Sequence, residues 1–223
     1  MLVTSYVNIA STNSASMCIH SAPDSGRVPT ANRLKRPIQS RAAHELLNAL
    51  LKREGLDSPS MHLTHDADGR PLLYRGQEPC SIAVGLSHSR TIAACAITDL
   101  GAIGIDVEFC ADRHFQGIAA AAFGPAEQAL VAREGQCAFY RIWTLREALA
   151  KADGNGLARL TDGSDYFADA PGIGSWRAII DGQDWMFWTG VVADKYAGSV
   201  AIAPRETLPA PDAAALAMRL FSD

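Results

Sequence analysis

The residues best suited to do chemistry fall in two short stretches, GAIGIDVE at Gly101 to Glu108 and WTLREALAKADGNGL at Trp143 to Leu157. The first reads as a buried strand ending in acids, and alternation along a strand points Asp106 and Glu108 the same way. The second reads as a helix, and its four-residue spacing puts Glu147 and Lys151 on one face. Converging, three carboxylates and one ammonium suit a hard divalent cation that bridges phosphates. Taken singly, each pair has a plainer explanation. An Asp-x-Glu on a strand is more often a solvated face, and an i,i+4 Glu–Lys pair usually contributes only ~0.3–0.5 kcal/mol.

Other candidates stand upstream. His88, between Ser87 and Ser89, and Arg70, in Gly69-Arg70-Pro71, are hydrogen-bond donors at expected loop positions and could hold phosphate oxygens. Serines beside a histidine invite a hydrolase reading, but the G-x-S-x-G elbow is absent. His62 and His65 lack a further cysteine or histidine at zinc spacing, so they read as solvated turn residues.

The elements that must position these groups follow from pattern. Leu2–Ala10 alternates as a strand, and Ala42, Leu46, Leu47, Leu50 and Leu51 give a helix over Gln39–Arg53 closed by Gly55. His62–Pro71 is turn-rich, and Ser81–Leu86 and Thr91–Thr98 read as strands flanking a Ser87–Arg90 turn. Gly124-Pro125 breaks an alanine-rich stretch into two short helices, and Phe139–Ala152 forms the next helix. The Trp-rich segment from Trp176 to Val200 reads as antiparallel strands joined by turns such as Asp181-Gly182, and Ala213–Phe221 as a last helix. Irregular mixing of helices with antiparallel strands favours an α+β fold. The tryptophans are expected in the core, with Trp143 anchoring the helix of Glu147.

A chain of 223 residues, 48% hydrophobic and 20% charged, can bury a substantial core. Its net charge of −4 gives no reason to expect nucleic acid or an anionic membrane as partner. Five cysteines in no metal or redox spacing fit a reducing compartment. Cys80, Cys95 and Cys137 have apolar neighbours in sequence and are expected to pack as small hydrophobes. The first residues lack a basic n-region and a sustained apolar run, and nothing approaches the ~20 apolar residues of a membrane span. A cytoplasmic, monomeric protein is expected.

Together, four motifs resemble those of the 4'-phosphopantetheinyl transferases, in the branch typified by the surfactin-synthetase activator. They are Gly69-Arg70-Pro71, Leu86-Ser87-His88-Ser89, Gly104-Ile105-Asp106-Val107-Glu108, and Trp143 to Leu157 with Glu147, Ala148, Lys151, Gly154 and Gly156. Any one alone is weak; in order across residues 69 to 157 they are a strong signature. The resemblance implies two similar α+β halves related by a pseudo-twofold axis, residues 1–100 with the coenzyme A-binding elements and 101–223 with the metal and catalytic motifs. The site would lie between the halves.

It also implies the reaction, in which a serine of an apo acyl or peptidyl carrier protein attacks the β-phosphate of coenzyme A. The serine takes up phosphopantetheine and releases adenosine 3',5'-bisphosphate. Asp106, Glu108 and Glu147 would hold Mg2+, Glu147 would accept the hydroxyl proton, and Lys151 would stabilise the leaving phosphate. Coenzyme A would meet Arg41, Arg70, Pro71, Ser87, His88, Arg146 and Lys151. The carrier would dock along Phe115–Leu130. The chain departs from the family pattern in having Arg146 for the usual lysine, and Val84 and Gly85 for the usual phenylalanine and asparagine. A guanidinium does not give up a proton, so Arg146 is expected to bind phosphate. Two alternatives from other classes are a non-catalytic carrier-protein or coenzyme A binding module and another Mg-dependent phosphohydrolase on the same scaffold.

Overall fold

The computed structural model describes the backbone of residues 4–9, 15–21, 36–206 and 218–222, with side chains from 42 to 206. It is an α+β protein whose described residues form three antiparallel sheets. The largest has the order β12-β1-β2-β7-β6, from Met218–Ser222, Thr4–Ile9, Ala15–Ser21, Ile92–Thr98 and Ala83–Ser89. The second has the order β8-β11-β10-β9, from Gly101–Phe109, Tyr196–Pro204, Gln183–Ala193 and Gly174–Ile180. A small third sheet joins β3 (Met61–His65), β4 (Pro71–Arg75) and β5 (Glu78–Pro79).

Two helices of 18 residues each cover the larger sheets. Helix α1 (Arg36–Arg53) lies on β2 and β7, burying Leu46, Leu47, Leu50 and Leu51 at the expected helical spacing. Helix α4 (Gln136–Asp153) lies on β8 and β11. Its buried stripe includes Phe139, Ile142, Leu145 and Leu149, each burial stabilising by ~1.5–3 kcal/mol. The two regions repeat one topology. In each, a strand (β2 or β8) is followed later in the chain by a hairpin (β6–β7 or β10–β11) whose second strand returns beside it, with α1 and β3–β5 between in the first case and several helices and β9 in the second. Helices α2 (Phe115–Ala122) and α3 (Pro125–Glu134) break at Gly124-Pro125 as expected, with the proline entering at the first turn. A five-residue helix, α5 (Gly156–Leu160), follows α4.

Four expectations need correction. The C-terminal helix over Ala213–Phe221 is instead strand β12 at Met218–Ser222, where Val7 faces Leu220; β1 offers a sheet edge whose hydrogen bonds outweigh local helix propensity. His62–Pro71 is a hairpin, β3–β4, closed by Asp66–Arg70, with His62 and His65 exposed on the strand. Strand β6 runs on through Ser89, leaving only Arg90 and Thr91 to turn, with Arg90 at φ 50°. Of the cysteines expected in apolar packing, Cys95 is buried, Cys80 is half-buried and Cys137 is exposed. Among the described residues no helix is long and apolar enough to cross a membrane.

Candidate functional site

Close packing of α4 on β8 builds the site, and Gly104 permits it. A Cβ at that position would lie 1.9 Å from the Ala148 carbonyl oxygen, so the helix can rest against this strand only over a residue without a side chain. That contact sets Glu147 and Lys151 beside Asp106, whose residue is 4% exposed. Lys151 Nζ donates to Asp106 Oδ1 at 2.7 Å and to the Ile105 carbonyl at 3.1 Å. Burial would lower the Lys151 pKa, but Asp106, Glu147 and Glu108 outweigh it, so the ammonium is held above its ordinary value. Glu147 is pushed up to about 7 by burial and then by the Asp106 charge, with Lys151 opposing. Glu108 is raised by burial and by Asp106. Lys151 is thus bonded directly to Asp106, and Glu147 and Glu108 lie near enough to feel both charges.

Asp106 and Glu108 both point to β6, where two serines meet them. Ser87 Oγ donates to Asp106 Oδ1 at 2.9 Å, and Ser89 Oγ donates to Glu108 Oε2 at 3.1 Å. The same oxygens accept the backbone N–H groups of Val107 (3.2 Å) and Phe109 (3.1 Å). Strand β8 is an edge of its sheet, so without these hydroxyls those donors would face the neighbouring sheet unpaired. Asp106 Oδ2 is buried without a hydrogen-bond partner among the described residues. Among the described residues no three His, Cys, Asp or Glu side chains stand close enough to hold an ion as placed. The donor set still fits one, being hard carboxylate oxygens that raise one another's pKa and include an unpartnered buried oxygen.

Beside this cluster opens a cleft of about 1000 Å³. Its walls include Arg70, Pro71, Gly85, Ile103, Glu147 and Lys151. Arg70 is held by Asp66, Nε to Oδ2 at 2.8 Å, and its guanidinium rests against the end of α4. Gly154 there is left-handed at φ 79°, and a Cβ on it would stand 2.7 Å from Arg70 Nη1. A glycine at this turn thus leaves room for the Arg70 guanidinium.

Not every expected residue reaches the cleft. His88 is exposed on β6, on the face opposite its two serines, and is not among the residues lining the cleft. Ser87, expected against coenzyme A, has its hydroxyl engaged by Asp106 and Val107. The side chain of Arg41 lies outside the described residues. Arg146 is the clearest correction. One residue from Glu147 turns about 100° around the helix, so Arg146 faces the interior, fully buried. It forks onto Glu127 at 3.0 Å through Nε and 2.7 Å through Nη2. It also donates to the carbonyls of Arg159 and Ser164 and stacks against Phe123 and Tyr166. Glu127 in turn accepts the N–H groups of Tyr166 and Phe167. Arg146 thus ties the 159–167 loop to α3 and α4 and leaves no guanidinium face for a phosphate. The role of Ser89 was not anticipated. Its only sequence signal is that the two serines share the period of Asp106 and Glu108.

The family model of the 4'-phosphopantetheinyl transferase superfamily matches residues 102–201. The chain is 31% identical over 134 residues to the 4'-phosphopantetheinyl transferase AcpT of Salmonella typhimurium, covering 58% of this chain and 68% of that protein. The chain belongs to the 4'-phosphopantetheinyl transferase superfamily. It is also 30% identical over 113 residues to the 4'-phosphopantetheinyl transferase HetI of Nostoc sp., a match spanning 48% of each, about half that relative's length. Asp106, Glu108, Glu147 and Lys151 all fall inside the segment shared with the superfamily. Arg70, Ser87 and His88 precede it.

Proposed function

We propose that this protein transfers 4'-phosphopantetheine from coenzyme A to a serine of an apo acyl or peptidyl carrier protein, with Mg2+ and in the manner of the surfactin-synthetase-activator branch. The observation that carries the reading is the pairing of the buried Asp106 with the half-exposed Lys151, with Glu147 and Glu108 close by, at the edge of a cleft of about 1000 Å³ within a superfamily chain. Asp106, Glu108 and Glu147 would hold Mg2+, which when bound neutralises charge on the pyrophosphate of coenzyme A. Their side chains must turn to share it.

The chain's own groups supply the rest. A carboxylate whose proton affinity sits near neutrality is suited to accept a proton, and Glu147 at about 7 could take it from the carrier's serine hydroxyl. That oxygen then attacks the β-phosphorus, and the bond to the bridging oxygen of the adenosine 3',5'-bisphosphate breaks. Lys151, held charged by its three carboxylate neighbours, would stabilise the departing phosphate. Arg70, lining the same cleft beside the end of α4, would hold a nucleotide phosphate. The repeated topology supports two halves related by a pseudo-twofold axis, joining near Gly101, with β12 added to the first. The carrier would dock along Phe115–Leu130, over α2 and the start of α3, next to the loop that leaves β8.

Incubation with apo carrier, coenzyme A and Mg2+ should add one phosphopantetheine to the carrier serine, read by intact mass. Glu147→Gln should bind coenzyme A yet lose about 10²–10⁴ in rate. Coenzyme A binding with no mass gained by any acyl or peptidyl carrier would replace this reading with that of a binding module. Turnover of coenzyme A without an acceptor would point to a phosphohydrolase.

A further inference from the structure

The serine pair on β6 has a bonding pattern that fixes what it can do. A hydroxyl carries one proton and two acceptor lone pairs. Ser87 spends its proton on Asp106 Oδ1 and accepts from Val107 N–H, while Lys151 Nζ stands 3.5 Å from the remaining side of the oxygen. Ser87 is also 6% exposed. Ser89 repeats the arrangement one rung along, with Glu108 and Phe109. Neither hydroxyl keeps a proton for a phosphate oxygen.

Ser87 and Lys151 both bond to Oδ1 of Asp106, and Oδ2 is the oxygen left buried and, among the described residues, unpartnered. The two donors therefore select which carboxylate oxygen is offered. Ser89 likewise takes Oε2 of Glu108. Both rungs cross from the five-stranded sheet to the four-stranded one, so they also hold the carboxylates in register with the first half of the molecule.

We infer that Ser87 and Ser89 are positioning residues for the Asp106 and Glu108 carboxylates, acting on the divalent cation through those groups rather than touching coenzyme A. The assignment rests on the proposed metal-dependent transfer. Hydrogen bonds to ligating carboxylates typically govern affinity by 10- to 100-fold when removed.

The test uses the whole chain with Ser89→Ala as the main variant, because Ser89 is only part-buried, and Ser89→Thr, which keeps the hydroxyl. Mn2+ binding is followed by electron paramagnetic resonance with coenzyme A present, and coenzyme A binding by calorimetry at saturating Mg2+. Ser89→Ala should weaken Mn2+ binding about 10-fold or more while coenzyme A affinity at saturating metal stays within about 2-fold. Ser89→Thr should restore Mn2+ binding, and Ser87→Ala should act in the same direction. A fall in coenzyme A affinity with Mn2+ binding unchanged would overturn the assignment and make the hydroxyls substrate contacts. Unchanged Mn2+ binding in a folded Ser89→Ala protein would overturn it too. A wild-type protein that binds no Mn2+ would overturn the metal reading beneath it, an outcome distinct from wild-type binding that the variants leave unaltered.

Discussion

Replacing Glu147 with glutamine should stabilise the protein in alkaline, chelator-treated buffer, although it removes the proposed base. Burial and the Asp106 charge raise this carboxyl from 4.5 to about 7. A group whose folded pKa lies above its unfolded one is held more comfortably protonated than ionised. The cost of ionising it is therefore fully present above pH 7. It fades as the pH falls through 7 and is gone below 4.5. At about 1.4 kcal/mol per unit, a rise of about 2.5 units sets a ceiling of about 3 kcal/mol. The side chain is only partly buried, and water and rotation relieve part of the cost, so roughly 1–2 kcal/mol is expected. Urea unfolding in chelator, at about pH 5 and about pH 8.5, measures it as a difference between the two proteins. Glu108 and Glu127, also raised by burial, are present in both and largely cancel. Glu147→Gln should gain its 1–2 kcal/mol, roughly 2–8 °C in melting temperature, at the higher pH and little at the lower. A variant no more stable than wild type at the higher pH, or a difference that does not vary with pH, would refute the reasoning. It would mean that Lys151 already satisfies the charge.

Gly104→Ala should cost more than ~3 kcal/mol or leave the chain insoluble, because its Cβ would meet backbone 1.9 Å away and drive α4 off β8. Gly76→Ala, which has open space but φ 61°, should cost only the ~1–2 kcal/mol of a left-handed residue, and chemical unfolding compares the two. Arg146→Met should lose ~3–5 kcal/mol by stranding the fully buried Glu127 carboxylate, read from urea midpoints. Coenzyme A affinity of the folded fraction should stay unchanged; a selective loss of that affinity would return Arg146 to the phosphate site.

The sequence by itself determined the local geometry. Period 2 put Asp106 and Glu108 on one side of a strand, and period 3.6 put Glu147 and Lys151 on one face of a helix. The apolar stripe of α1 foretold which face would be buried, because burial of a stripe is what stabilises a helix. Motif order reached the family, since each motif is a local arrangement written in consecutive residues. What the tertiary structure decided are matters of who meets whom. Arg146 reads as a phosphate-binding cation in sequence; it is buried because Glu127, 19 residues earlier, waits at its position on the inner face. Met218–Ser222 becomes a strand only because β1 presents it a paired edge, which no window around those residues contains. The two serines find two carboxylates 19 residues along the chain only once β6 is laid across β8. Periodicity is a property of neighbours in the chain, whereas partners are chosen by how the sheets come together.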